Sequence, residues 1–335
     1  MKTDTYIGKE TLKELGEVVD SLSPHKIAIL TDSTVEDLWL DEVQDIIGGT
    51  PLVLPEGEEN KSLDRVKQVW RKLIEMDFTR RSLLVGLGGG VITDIAGFIS
   101  STFKRGTILG LIPTTLMGQI DASIGGKTGF NFKGKNMIGT FYEPDFVLID
   151  PIFLRTLPEE EIDNGFGEVI KYSLLSKDIY DLVKKSEEIE FMGLIERCVD
   201  YKKGIVNKDL QERDTRRLLN MGHTIAHGIE KTSSFEIKHG NAVARGLFTN
   251  SLIAEEVYGF DPSVTRNLLK RFDMPVFHDQ PPEEILQVIR KDKKNWYDDI
   301  VLILPEEVGK VNIAEVEEEV ILDALERTKR GGEDG

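Results

Sequence analysis

The 335-residue chain has a single cysteine, Cys198. One thiol excludes an intramolecular disulfide and a multi-cysteine zinc site, and it fits a reducing compartment. No run of about 18 apolar residues is present to span a bilayer, and the opening MKTDTYIGKETLKELGE lacks the apolar core of a signal peptide. A cytoplasmic location is expected. Positive charge is also in deficit, with 42 Lys and Arg against 59 Asp and Glu and a formal net charge of -17. Nucleic acid and anionic membrane are poor partners for such a surface. An anionic metabolite is not excluded, because screening over roughly 8 Å at physiological salt lets a local lysine cluster dominate a cleft.

What is present is an ordinary globular composition, 40% hydrophobic and 30% charged, in a chain long enough for two domains with their own cores. After a helical pattern ending near Leu22, HKIAILTD reads as a buried parallel strand closed by Asp32 and Ser33 at a helix entry. A strand at 52–54 precedes a helix from about 62 to 76 with Val66, Val69, Trp70 and Leu73 on one face. RRSLLVGLGGGVITDIAGFISSTF gives a strand, a glycine turn and another helix, and TILGLIPTTL and FVLID at 146–150 add strands. The βαβα order predicts an α/β fold with a doubly wound, Rossmann-like parallel sheet and ligands at the carboxyl ends of its strands. From Leu157 the texture changes to long helical periods, so the expected domains are 1–152 (α/β) and 153–330 (mostly α-helical), with VLILP at 301–305 a short strand. The tail TKRGGEDG has nothing to bury and is expected to fray, residues 331–335 above all.

VGLGGGVITD places backbone N–H groups and a helix N-terminus where a pyrophosphate could sit, although it is not GxGxxG and a structural turn accounts for it nearly as well. Asp32 after the first strand, and Glu58 with Lys61 after the second, project from the same sheet edge. A carboxylate there suits ribose hydroxyls, and no arginine beside Asp32 marks a preference for NADP. DASIGGKTGFNFKGKNMIG is irregular and rich in Gly, Lys and Asn, a texture more often functional than idle.

A second focus is RRLLNMGHTIAHGIE, residues 216–230, where Arg216, Asn220, His223 and His227 are spaced to stack on one face of an α-helix. Buried without partners this polar stripe would be costly, so it implies a ligand, a metal or a hydrogen-bond network. His223 and His227 at i and i+4 could ligate one metal; a pair of hydrogen-bonded core histidines is the competing reading. His239 in HG and Glu168 with Lys171 in GFGEVIKY offer further ligands and charges, in the style of an open catalytic site.

GGGVITDIAGF, PTTLMGQIDASIGGKTG, GKNMIGTFYEP, TLPEEEIDNGFGEVIKY, LLNMGHTIAHGIE and HGNAVARG, in this order, resemble the 3-dehydroquinate synthase family of sugar-phosphate cyclases, related by fold to metal-dependent polyol dehydrogenases. The resemblance implies a homodimer, an active site in the cleft between the domains, NAD, and zinc or cobalt on Glu168, His223 and His239, with His227 facing substrate. It places Asp32, Glu58, Lys61, Gly89, Gly90, Asp94, Thr114, Thr115 and Thr156 at NAD. Around the substrate it places Asp121, Lys127, Lys135, Asn136, Lys171, Lys202, Arg216, Asn220 and Lys293 (or Lys294), with Lys135 also counted among the cofactor-binding residues. Arg105 matches an arginine supplied across a dimer interface. Two departures stand out: FNFKGKN is one residue shorter than the usual loop, and Asn241 replaces a commonly acidic residue beside His239.

The implied reaction is a lyase-type cyclisation of a seven-carbon sugar acid phosphate. Hydride passes to NAD, phosphate leaves by β-elimination, hydride returns, the ring opens and an intramolecular aldol closes the carbocycle. Substrate phosphate and carboxylate explain why an acidic chain would gather lysines, Arg216 and asparagines in its motifs. Another sugar-phosphate cyclase, or a metal-dependent NAD polyol dehydrogenase with less use for anion-binding groups, are the alternatives.

Overall fold

The structure is a computed structural model that describes residues 3–186, 189–292 and 300–331. Its strands are β1 (Asp4–Ile7), β2 (Ile27–Asp32), β3 (Thr50–Leu54), β4 (Leu83–Gly88), β5 (Ile108–Pro113), β6 (Lys127–Phe130), β7 (Ile138–Phe141), β8 (Phe146–Ile149), β9 (Ile300–Glu307) and β10 (Lys310–Val316). Its α-helices are α1 (Leu15–Leu22), α2 (Ser33–Val35), α3 (Asp41–Ile47), α4 (Leu63–Glu75), α5 (Gly90–Thr102), α6 (Glu159–Leu175), α7 (Lys177–Lys185), α8 (Phe191–Val206), α9 (His223–Thr232), α10 (His239–Tyr258), α11 (Ser263–Arg271), α12 (Pro282–Asp292) and α13 (Glu318–Arg327). They form two compact units, residues 1–158 with 191–211, and residues 159–190 with 212–335.

The first unit is built on a parallel sheet in the order β1-β8-β5-β4-β2-β3. β4 is buried along its whole length, which explains its unbroken apolar sequence. Leu83, Val85 and Leu87 share a core with Ile29, Ile112 and Leu148. From β2 the chain moves outward to β3, whereas β4 on the other flank leads to β5 and β8. This reversal between β2 and β4 opens a crevice at their carboxyl ends, where Asp32 and the Gly88–Gly90 turn lie. β1 is polar and short, carries no strand signal, and pairs with β8 at the sheet edge.

The second unit holds α6, α7, α9 to α13 and the antiparallel hairpin β9–β10. VLILP lies within β9; its partner β10 was not expected. The single α-helix predicted across 216–230 is broken. Thr215–Asn220 is a 3₁₀ segment, Gly222 takes φ 79°, and α9 begins at His223. The break is a packing requirement: a Cβ at Gly222 would lie 2.9 Å from the Leu247 side chain, and one at Gly246 would lie 2.3 Å from the Gly222 carbonyl oxygen. α9 and α10 cross backbone to backbone there. The start of the C-terminal tail does not fray, since Thr328 is buried and Arg330 N–H donates to the His278 carbonyl at 2.8 Å.

Candidate active site

In the first unit, Asp32 ends β2 and caps α2, its Oδ1 accepting from Thr34 and Val35 N–H, both at 3.0 Å. Burial raises its pKa, with those hydrogen bonds opposing. Gly89 caps α5 and Gly90 begins it, bringing the helix N-terminus to the crevice; a Cβ on Gly89 would meet Thr115 at 3.0 Å. Thr114, one residue past β5, donates its N–H to the Gly88 carbonyl.

Lys61 is the hub of this edge. It is 4% exposed, and its Nζ donates to Asp94 Oδ2 at 2.5 Å and to Asn136 Oδ1 at 2.6 Å. Burial works against its charge, yet Asp94 and Glu58 raise its pKa. A cofactor-side residue and a substrate-side residue of the sequence reading thus meet on one ammonium. Glu58 Oε1 accepts from Asn131 Nδ2 at 2.9 Å, and Thr156 Oγ1 accepts from Trp39 Nε1 at 2.8 Å. Buried Lys202 donates to the Asp121 carbonyl and Oδ1, at 2.7 and 2.8 Å. Lys127 begins β6 and Lys135 lies in the β6–β7 loop. Exposed Arg105 holds φ 64° in the turn after α5.

In the second unit, one ligand atom from each of Glu168, His223 and His239 lies within 4.8 Å of the others. Glu168 is in the middle of α6, and each histidine is the first residue of its helix. Glycines beside the ligands permit this: a Cβ on Gly167 would lie 2.3 Å from the Gly240 carbonyl oxygen, and one on Gly240 would lie 1.8 Å from that of Asn164. Asn164 Oδ1 then accepts the Gly240 N–H at 2.6 Å, satisfying an orphan donor at the start of α10.

The donor set fits a divalent cation. His223 Nδ1 faces the Met221 carbonyl at 3.1 Å and His239 Nδ1 faces Glu230 Oε1 at 3.2 Å. Each Nδ1 is therefore assigned the proton, leaving a lone pair on Nε2. Those Nε2 atoms point at Glu168 Oε1, 3.4 and 3.3 Å away. Three acceptors converging on one another require a cation or added protons. Without a cation, the imidazole of His239 is pushed up to about 9, burial opposing and the hydrogen bonds and charges of Glu168 and Glu230 prevailing. Burial also favours a neutral Glu168, but the ion pair with buried Lys171 and the two imidazoles outweigh it and hold the carboxyl well below its usual range.

His227 lies outside the triad; it is exposed, with its ring centroid 5.8 Å from that of His223 and 6.5 Å from that of His239. Arg216 is 1% exposed, and Asn220 Nδ2 donates to Glu212 Oε1 at 2.6 Å. Lys293 and Lys294 lie outside the described residues. Asn131, Glu212 and Glu230 are absent from the sequence reading. Glu230 had a signal, because it follows His223 by seven residues and so shares its helix face.

The family model described as 3-dehydroquinate synthase N-terminal matches residues 51–164, and the C-terminal one matches 165–295. A 3-dehydroquinate synthase of Pyrococcus furiosus is 51% identical over 325 residues, covering 95% of this chain and 97% of its own length. Among solved structures, the 2-epi-5-epi-valiolone synthase of Streptomyces hygroscopicus subsp. jinggangensis 5008, with NAD+ and Zn2+ bound, has TM-score 0.88 and 26% identity, covering 96% of this chain and 95% of its own. A 2-deoxy-scyllo-inosose synthase complexed with carbaglucose-6-phosphate, NAD+ and Co2+ has TM-score 0.85 and 25% identity, with the same coverage. With both family models matched in chain order and half of all residues shared with a full-length relative, the chain belongs to the 3-dehydroquinate synthase family.

Proposed function

We propose that the chain converts 3-deoxy-D-arabino-heptulosonate 7-phosphate to 3-dehydroquinate and phosphate, a lyase reaction of the shikimate pathway that depends on NAD and a divalent metal. The observation that carries this reading is the convergence of Glu168, His223 and His239 with both Nδ1 atoms already committed elsewhere. One carboxylate and two imidazoles suit zinc or cobalt, the ions named in the two solved relatives. When bound, NAD supplies a reversible hydride acceptor and the metal a Lewis acid for adjacent hydroxyls.

The chain's own residues bind, orient and move protons. Asp32 offers a carboxylate to the ribose, and Gly89 and Gly90 let the α5 N-terminus receive the pyrophosphate. Glu58, Lys61, Asp94, Thr114, Thr115, Lys135 and Thr156 complete the cofactor set. Lys127, Lys171, Lys202, Arg216, Asn136 and Asn220 engage the two anionic groups of the substrate, Asp121 holds the Lys202 ammonium in place, and Lys293 belongs with them. His227, which lies beside the triad and outside its ligand set, relays a proton or orients the phosphate; the departing phosphate is itself a candidate base.

The enzyme works as a cytoplasmic homodimer in this reading, with Arg105 contributed across the interface; the exposure of Arg105 supports that role. Incubation with the seven-carbon phosphate, NAD and zinc or cobalt is expected to give 3-dehydroquinate, identified by mass spectrometry, with equimolar phosphate. A different carbocycle would move the chain to another cyclase activity.

A further inference from the structure

The loop FNFKGKN between β6 and β7 contains two non-glycine residues in left-handed conformation, Lys133 at φ 55° and Asn136 at φ 54°. Such residues are uncommon and persist where surrounding contacts hold them. The contacts here converge on Asn131. Its Oδ1 accepts the Asn136 N–H at 2.8 Å, its Nδ2 donates to Glu58 Oε1 at 2.9 Å, and its own N–H donates to the Lys61 carbonyl at 2.7 Å. The ring closes through Lys61, whose Nζ donates to Asn136 Oδ1 at 2.6 Å. A primary amide is suited to the position because it presents a donor and an acceptor from one planar group. The N–H of Asn136 demands the oxygen and the carboxylate of Glu58 demands the nitrogen, so both neighbours fix the same amide orientation.

We infer that Asn131 is a positioning residue that fastens the Glu58–Lys61 segment to the loop carrying Lys135 and Asn136, so that cofactor affinity and substrate pose depend on one side chain. The inference rests on the proposed assignment of Glu58 and Lys61 to NAD and of Asn136 to the substrate. Two substitutions separate the two halves of the clasp. Asn131→Asp keeps an acceptor for the Asn136 N–H but turns a second carboxylate towards Glu58. Asn131→Ala removes both bonds.

The test uses metal-loaded protein, with NAD affinity measured by equilibrium titration, KM for the seven-carbon phosphate by phosphate release, and the thermal midpoint. Losing a hydrogen bond to a charged group corresponds to about a tenfold change. Both variants are expected to weaken NAD by about that factor, while only Asn131→Ala raises KM by a similar factor and Asn131→Asp leaves it within about twofold. Unchanged NAD affinity in both variants, or equal KM increases in both with a lowered thermal midpoint, overturns the clasp and leaves a structural loop residue. Asp32→Ala and Asp94→Asn are measured alongside. If they weaken NAD and Asn131→Asp does not, the clasp alone fails; if they also leave NAD affinity unchanged, the cofactor assignment fails with it.

Discussion

Glu230 is 2% exposed, and its Oε1 lies 3.2 Å from His239 Nδ1. A buried carboxylate in that position fixes the imidazole's tautomer and raises its basicity as a ligand, and removing such a partner typically costs about 10- to 100-fold in metal affinity. Glu230→Ala is therefore expected to lose metal affinity by about that factor in competition with a chelator; unchanged affinity would contradict the orienting role. The two histidines of α9 are expected to separate cleanly. His223→Ala should lose the bound metal, whereas His227→Ala should keep its stoichiometry by elemental analysis and lose turnover. Local periodicity pairs these two residues, since i and i+4 share a face. What periodicity does not express is that His239, at the start of another helix, brings its Nε2 to 3.3 Å from Glu168 Oε1. That grouping came from the family motif HG, whose glycine is the part that permits the approach.

The helices of the second unit meet where glycines remove side chains. Gly167 against Gly240 brings α6 to α10, and Gly222 against Gly246 brings α9 to α10. Overpacking of a fitted contact commonly costs about 1–3 kcal/mol, so Gly240→Ala is expected to lower the unfolding midpoint and to weaken metal binding together. A lowered midpoint with metal affinity intact would show that this crossing does not set the ligands. These glycines also limited what could be read beforehand. The pattern from 216 to 230 is helical in its apolar spacing, yet the contact with α10 imposes a left-handed residue at Gly222 and splits the helix. β1 and β10 escaped notice because their burial is partial, while the fully buried β4 and β8 were plain. The tail misled for a related reason: TKRG has little to bury, but His278 gives it backbone partners. Both ring nitrogens of His278 face carbonyls, of Gln280 at 3.0 Å and Leu325 at 3.1 Å, and burial pushes its pKa below the usual imidazole value against their influence. The unfolded chain then takes up a proton that the native one does not. This contribution to stability is complete above about pH 6.5 and is lost as pH falls from there through the native pKa. In His278→Gln the drop in urea midpoint between about pH 7.5 and pH 5.5 should be smaller than in the parent; an equal drop would remove His278 as its source.

At the scale of the whole molecule, a net charge of -17 coexists with buried lysines at positions proposed for cofactor and substrate, Lys61, Lys171 and Lys202, each paired with a carboxylate. In the proposed function such pairs hold the ammonium groups in place until an anionic substrate competes for them. Composition could report the acidic excess but not these local reversals of sign. It also could not show that residues 191–211, including Lys202, return to the first unit after the chain has entered the second. The parallel sheet, with its order reversing between β2 and β4, was legible because buried strands and glycine turns leave strong local patterns. The activity proposed for this assembly is redox-neutral overall: hydride leaves the substrate and returns to it, so NAD is needed in catalytic amount only. The most direct measurement follows phosphate release and nicotinamide absorbance together, with the seven-carbon phosphate in large excess over NAD. Many equivalents of phosphate per NAD with no accumulating NADH is the expected result. NADH accumulating in step with substrate consumed would contradict the cyclase mechanism and make the chain a net dehydrogenase.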